Sequence, residues 1–300
     1  MSLARNPLTV SNPPAVHEHP TWQRHWYRFS HNPSAVIGAM IVFIVVACAL
    51  LAPYLAPFPE HARAFVDFRN RHAPPSLTHL FGTDNVGRDI LSRVLFGYRI
   101  SLLLVVFVLG LSVPVGVALG LVAGYVGGWL ETLIMRVTDI FLAIPPLVMA
   151  LAITSALSPT LVNAMLAISL LWWNWHTRLV YGIVRSLKTE EYIEACQVIG
   201  ASRWHILFNE LLPNCMSAVL VKTTLDAGFV ILIGATLSFL GIGAQPPTPD
   251  LGTMVASGAG FLPDMWWQSI FPGLAILVAI LGFNLLGDGL RDLYDVEVAS

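Results

Sequence analysis

Few residues in this sequence have the type and spacing needed for bond chemistry. A phosphate-gripping loop needs glycine-rich backbone followed by a lysine that reaches the β- and γ-phosphates. Lys188 follows Leu187 and Lys222 follows Val221, so neither lysine completes such a loop and the chain is not expected to be an enzyme that hydrolyses nucleotide. His17 and His19 precede the first apolar run, His176 stands among Trp172, Trp173 and Trp175, and HExxH is absent, so neither a metal nor a catalytic set is expected. Cys48, Cys196 and Cys215 lack ligand spacing and read as free thiols. Charges inside apolar runs are functional candidates by default. Asp139, Lys222, Asp226 and Asp288 fall toward one end of their runs, where Arg136 with Asp139 and Lys222 with Asp226 are spaced to neutralise each other. What remains is Lys188–Pro213, KTEEYIEACQVIGASRWHILFNELLP, whose pattern is mechanical rather than catalytic.

The elements that must position this segment are set by an unusual solvent. Of 300 residues, 56% are apolar and 11% charged, and the mean hydropathy is +0.70. A soluble domain carries about a quarter charged residues, so this chain cannot wet its own surface and lipid is its bulk solvent. A net charge of −2 without a basic stripe excludes a nucleic-acid partner. Crossing the bilayer takes about 20 mostly apolar residues. Six stretches qualify: 35–55, 100–124, 139–157, 161–184, 217–240 and 270–287. The expected fold is an all-α polytopic membrane protein of six transmembrane helices. Pro145 and Pro146 should bend the third. The first run is too long for a signal h-region and is expected to be retained.

Between the runs lie further expectations. Trp22, Trp26 and Phe29 recur at helical spacing beside Arg24 and Arg28, which suits an interfacial helix over 21–29. The outer loops around Ser158 and over 241–267 contain no basic residue, which places both termini in the cytoplasm. That orientation divides the chain into a leader (1–34), a permease domain (35–290) with an outer loop (58–99) and an inner loop (186–213), and a tail (291–300). Within the outer loop, 84–97 reads as a helix lying on the membrane face, with Asp89 and Arg93 paired at i,i+4. Trp266 and Trp267 read as interfacial anchors.

The inner loop reads as helix–glycine–helix. Thr189 can cap the first helix, Glu190 and Glu191 suit its positive end, and Gly200 can take the left-handed conformation that ends it. Ser202 can cap the second helix, which Pro213 should interrupt. Glu190, Glu194 and Gln197 form one stripe, opposite Tyr192, Ile193, Cys196 and Ile199.

Glu194, Ala195, Gly200, Leu212 and Pro213 resemble the EAA loop of bacterial ABC importer permeases, with Cys196 at the second alanine and Glu210 at the isoleucine. FGTDNVGRDILSRVLFGYRISL (81–102), MRVTDIFLAIP (135–145), ATLSFLGIGAQPP (235–247) and NLLGDGLRDLYD (284–295) are similar to blocks of the C-type permeases of the dipeptide and oligopeptide family. Asn32 and Gly38 match as well. The resemblance covers about 26–295 and implies the type I ABC importer permease fold with a cytoplasmic coupling helix. It further implies a B-type sister permease, two ATP-binding subunits that hold ATP and Mg2+, a substrate-binding protein, and no cofactor in this chain. Glu191, Glu194, Ala195, Cys196, Gly200, Ala201, Ser202 and Arg203 would form the ATPase-coupling interface, in a multi-pass protein of the bacterial inner membrane. The cargo would be di- or oligopeptides or a related small solute. An ion-gradient-driven secondary transporter is the rival; it should show an internal repeat, and none is visible.

Overall fold

The computed structural model describes residues 27–295. The interfacial pattern over 21–29 lies mostly outside these residues, as does the tail beyond 295. Among the described residues the fold is carried by the helices α1 (Pro33–Leu50), α2 (Ala52–Leu55), α3 (Ile90–Val126), α4 (Gly128–Leu142), α5 (Pro146–Ser155), α6 (Leu161–Leu187), α7 (Glu191–Val198), α8 (Arg203–Phe239), α9 (Leu251–Ala259) and α10 (Trp267–Asp295). Four of them, α1, α3, α8 and α10, are long and apolar enough to cross a membrane. The pair α4–α5, bent by 87°, makes a fifth candidate span. The break falls at Pro145 and Pro146 as expected, but the first arm starts at Gly128 rather than Asp139. The 27-residue α6 is not among these candidates, because Asn174, His176, Arg178 and Arg185 lower its hydropathy.

Helix α3 organises the bundle. Its 37 residues span roughly 55 Å at 1.5 Å per residue, and it packs most extensively on α6. Gly116, Gly120 and Gly124 recur every four residues and let the two backbones touch. A Cβ on Gly120 would lie 2.7 Å from Val180 Cβ and 2.8 Å from Thr177 O, and one on Gly124 would lie 2.7 Å from Val184 Cγ1. In lipid, where burial supplies little drive between helices, such small residues are what permit close packing. Helix α10 packs on α1 and α8. Asn32 caps α1 by accepting from the Ser34 and Ala35 amides, and its Nδ2 donates to Asp292 Oδ2 at 3.0 Å, so the two ends of the described chain meet.

Four features differ from what the sequence predicts. Residues 84–97 are not a separate surface helix: 84–88 form a turn, and Ile90 already belongs to the long α3. Nor do Asp89 and Arg93 pair. Asp89 is buried as the N-cap of α3, accepting from the Ser92 amide at 2.8 Å and bonding His79 Nδ1 at 2.9 Å. Arg93 donates to His61 O and Pro247 O, and its Nε lies 3.8 Å from Asp84. Residues 58–89 thus fold as a cap over one end of the bundle. Trp267 belongs to it: the ring is buried and its Nε1 donates to Thr83 O at 3.3 Å, while Trp266 stays half exposed. At the opposite end Asp139 pairs with Arg178 across α4 and α6 at 2.7 Å, not with Arg136.

His61 gives the cap a pH dependence. Its Nδ1 accepts the Asp89 amide proton at 2.9 Å, which requires that nitrogen to be unprotonated, and burial pushes its pKa below the ordinary 6.5. A depressed histidine pKa means that the unfolded chain takes up the proton first, so stability is complete above about pH 6.5 and falls as pH drops through and below it. Thermal unfolding of the wild type should therefore shift to lower temperature between pH 7 and 5. His61→Gln should flatten that slope, and an unchanged slope would contradict the assignment.

Candidate functional site

The segment between α6 and α8 is an elbow built from capping chemistry. Helix α6 ends at Leu187, and Lys188 swings back so that Nζ donates to Tyr125 O at 2.8 Å. The N-cap of α7 is Glu190, without a side-chain bond. Thr189 does not cap it, because its hydroxyl donates back to Ser186 O. Helix α7 ends where Gly200 takes φ +80°: the Gly200 amide bonds Gln197 O and the Ala201 amide bonds Cys196 O, the paired bonds of a Schellman turn. Ser202 then caps α8 by accepting the His205 amide at 3.2 Å.

Pro213 does not interrupt this second helix. Residues 206–211 widen into a π-helical turn and the rod continues unbroken from Arg203 to Phe239. Proline lacks an amide proton and its ring crowds the preceding turn; the wider i→i+5 turn removes that crowding without ending the helix. The helix–glycine–helix geometry was legible in the sequence, but the π-turn was not.

The elbow has a buried base and a bare outer face. Ile193, Ile206, Leu211 and Cys215 are fully buried against Val180 and Val184 of α6 and Leu121 of α3. The expected opposition of stripes holds only in part: Ile193 is buried and Cys196 half-buried, whereas Tyr192 and Ile199 face outward. Val198 (86% exposed), Ile199 (81%), Trp204 (70%) and Phe208 are exposed apolar side chains of the elbow. The rings of Trp204 and Phe208 stack at 5.9 Å. Their i,i+4 spacing in SRWHILF was the available signal, and composition alone does not reveal that the pair faces outward. Glu191, Glu194, Ala195, Gly200, Ser202 and Arg203 are exposed as well, and Ala201 is half-buried. Among the described residues Glu190, Glu191 and Glu194 have no ion-pair partner. No group of three or more metal-ligating side chains occurs among the described residues.

The capped elbow thus leaves apolar rings and carboxylates exposed at its surface. Residues 116–299 match the model of the binding-protein-dependent transport system inner membrane component family. The chain belongs to that family. Residues 21–75 match the N-terminal transmembrane domain of oligopeptide transport permease C. Among curated relatives, the chain is 42% identical over 269 residues to a probable D,D-dipeptide transport system permease of Escherichia coli, covering 90% of this chain and 89% of that one. It is 40% identical over 297 residues to a di/tripeptide permease of Pseudomonas aeruginosa, 97% of each. A glutathione permease of Pectobacterium atrosepticum is 38% identical over 279 residues, 93% of this chain and 92% of the other. The elbow of this inner membrane component lies wholly within the first family match.

Gly200 has open space around it, so a substitution there meets only backbone strain. Placing a Cβ in the left-handed region costs roughly 1–2 kcal/mol. Gly200→Ala in the purified permease should therefore be nicked by protease several-fold faster at 199–202. Gly182→Ala, in the middle of α6 with equally open surroundings, serves as the reference. Equal nicking of the two variants would contradict the Schellman assignment.

Proposed function

We propose that this chain is the membrane-spanning permease subunit of an ATP-driven importer that moves di- or oligopeptides, or a related small solute, from a binding protein into the cytoplasm. Its relatives carry the names of dipeptide, di/tripeptide and glutathione permeases. In this reading α1, α3, α4–α5, α6, α8 and α10 make six spans, both termini and the elbow lie in the cytoplasm, and the cap of residues 58–89 faces the binding protein. The partners are a sister permease and two ATP-binding subunits, which hold the ATP and Mg2+; this chain supplies no cofactor of its own.

The bare elbow is the observation that carries the proposal. Trp204, Phe208, Val198 and Ile199 offer the central apolar anchor that a protein partner can desolvate, ringed by Glu191 and Glu194 for basic groups on that partner. Nucleotide-driven closure of the ATPase pair displaces the elbow. Because Arg203–Phe239 is one continuous helix of roughly 55 Å, the displacement is delivered to the far end of the bundle rather than absorbed in a joint. Gly200, Ala201 and Ser202 set the angle between the two arms, and Cys196 and Ala195 are small enough for close approach.

Reconstituted in liposomes, uptake should require the sister permease, both ATPases, the binding protein and ATP. Trp204→Ala/Phe208→Ala should weaken ATPase docking by at least tenfold, since anchors of this kind cost about 2 kcal/mol or more on truncation. Glu194→Gln should weaken it less. Uptake by this chain alone under an ion gradient would contradict the proposal.

A further inference from the structure

The elbow joins α6 to α8, yet these two arms sit in different parts of the bundle: α6 packs chiefly on α3, and α8 on α10. Trp175 and His176 of α6 face α8 where the arms meet. His176 and Asp226 are 0% and 1% exposed. His176 Nε2 lies 3.4 Å from Thr223 Oγ1 and 3.7 Å from Asp226 Oδ2. Lys222 forms an ion pair with Asp226 one turn away and places Nζ over the Trp175 ring, 5.7 Å from its centroid. His176 is held from behind as well, because its Cβ sits where a side chain on Gly116 of α3 would have to go. Asp226 Oδ2 and His176 Nδ1 have no hydrogen-bond partner among the described residues. The cluster is thus incompletely satisfied in this arrangement of the helices.

A buried ionic group is a poor stabiliser, because desolvation offsets its attraction, and ionisable residues within spans mark function by default. We propose that Lys222, Asp226 and His176 form a clasp that fixes the register of α6 against α8, so that the two arms of the elbow move as one lever. Closer to the elbow, the arms meet through Val180, Val184, Cys215 and Val219. Such apolar contacts are non-directional and tolerate sliding; the His176–Thr223 contact and the Lys222–Trp175 cation–π contact, which cross between the arms, are directional, and the Lys222–Asp226 pair within α8 holds its side of them in place. Without the clasp, displacement of the elbow slides α8 past α6 and is lost before it reaches the pathway. The three side chains are positioning residues and need no contact with the solute. The inference rests on the importer reading above.

The test uses the complete complex of permease pair, ATPases and binding protein in liposomes, with labelled alanyl-alanine as the probe. Thermal unfolding and uptake per ATP hydrolysed are measured together. His176→Phe and Asp226→Asn should each lower uptake per ATP at least tenfold, whereas His176→Gln, which retains a hydrogen-bond donor, should recover much of it. Lys222→Met/Asp226→Asn removes both charges, leaves no unmatched one, and should restore the unfolding temperature but not uptake per ATP. Recovery of both by that pair is what a merely structural ion pair gives, and it would overturn the clasp. So would wild-type uptake per ATP in His176→Phe. Uptake of the probe by this chain alone under an ion gradient, with no ATPase present, would overturn the importer reading itself, and the clasp with it.

Discussion

The backbone contact between α3 and α6 is the constraint on which the rest of the bundle depends. Gly116, Gly120 and Gly124 present no side chain, and Thr177, Val180 and Val184 of α6 fill the space. In a bilayer, apolar side chains gain nothing by leaving lipid for each other, so close surface matching must hold helices together. The inner end of that seam, at Val180, Val184 and Leu121, is also the floor under the elbow. The base of the elbow therefore packs on the same contact that joins α3 to α6.

The same helix is anchored at its other end by polar chemistry. Asp89 closes the first turn of α3, and His61, His79 and Arg93 hold the cap residues around it. Burying this many polar groups is tolerable because nearly all are paired. The Trp267–Thr83 bond ties the start of α10 into the same network. One long helix therefore connects a satisfied polar cap to an elbow that leaves apolar rings and carboxylates bare.

Local signals in the sequence were sufficient for local features. Gly200 and Ser202 announce a turn and a cap because single residue types satisfy the backbone there, and Pro145–Pro146 announces a break for the same reason. Features decided by distant residues were hidden. Asp139 chooses Arg178 over the nearer Arg136 because α6 brings it alongside. Residues 84–97 look like a surface helix until His61 and His79 fold over Asp89. Pro213 looks like a stop until the π-turn makes room for it. His176 looks isolated until α8 places Thr223 and Asp226 beside it. The glycine spacing 116–120–124 was present in the sequence but has meaning only against α6.

If the α3–α6 seam holds the elbow in place, hydrogen exchange in two glycine variants of α3 will show it. Gly120 meets Val180 and Thr177, whereas Gly110 on the same helix faces open space. Gly120→Val should speed amide exchange across the elbow, residues 191–211, as well as at the seam itself. Gly110→Val should leave both at wild-type rates. Equally slow elbow exchange in the two variants would contradict the claim.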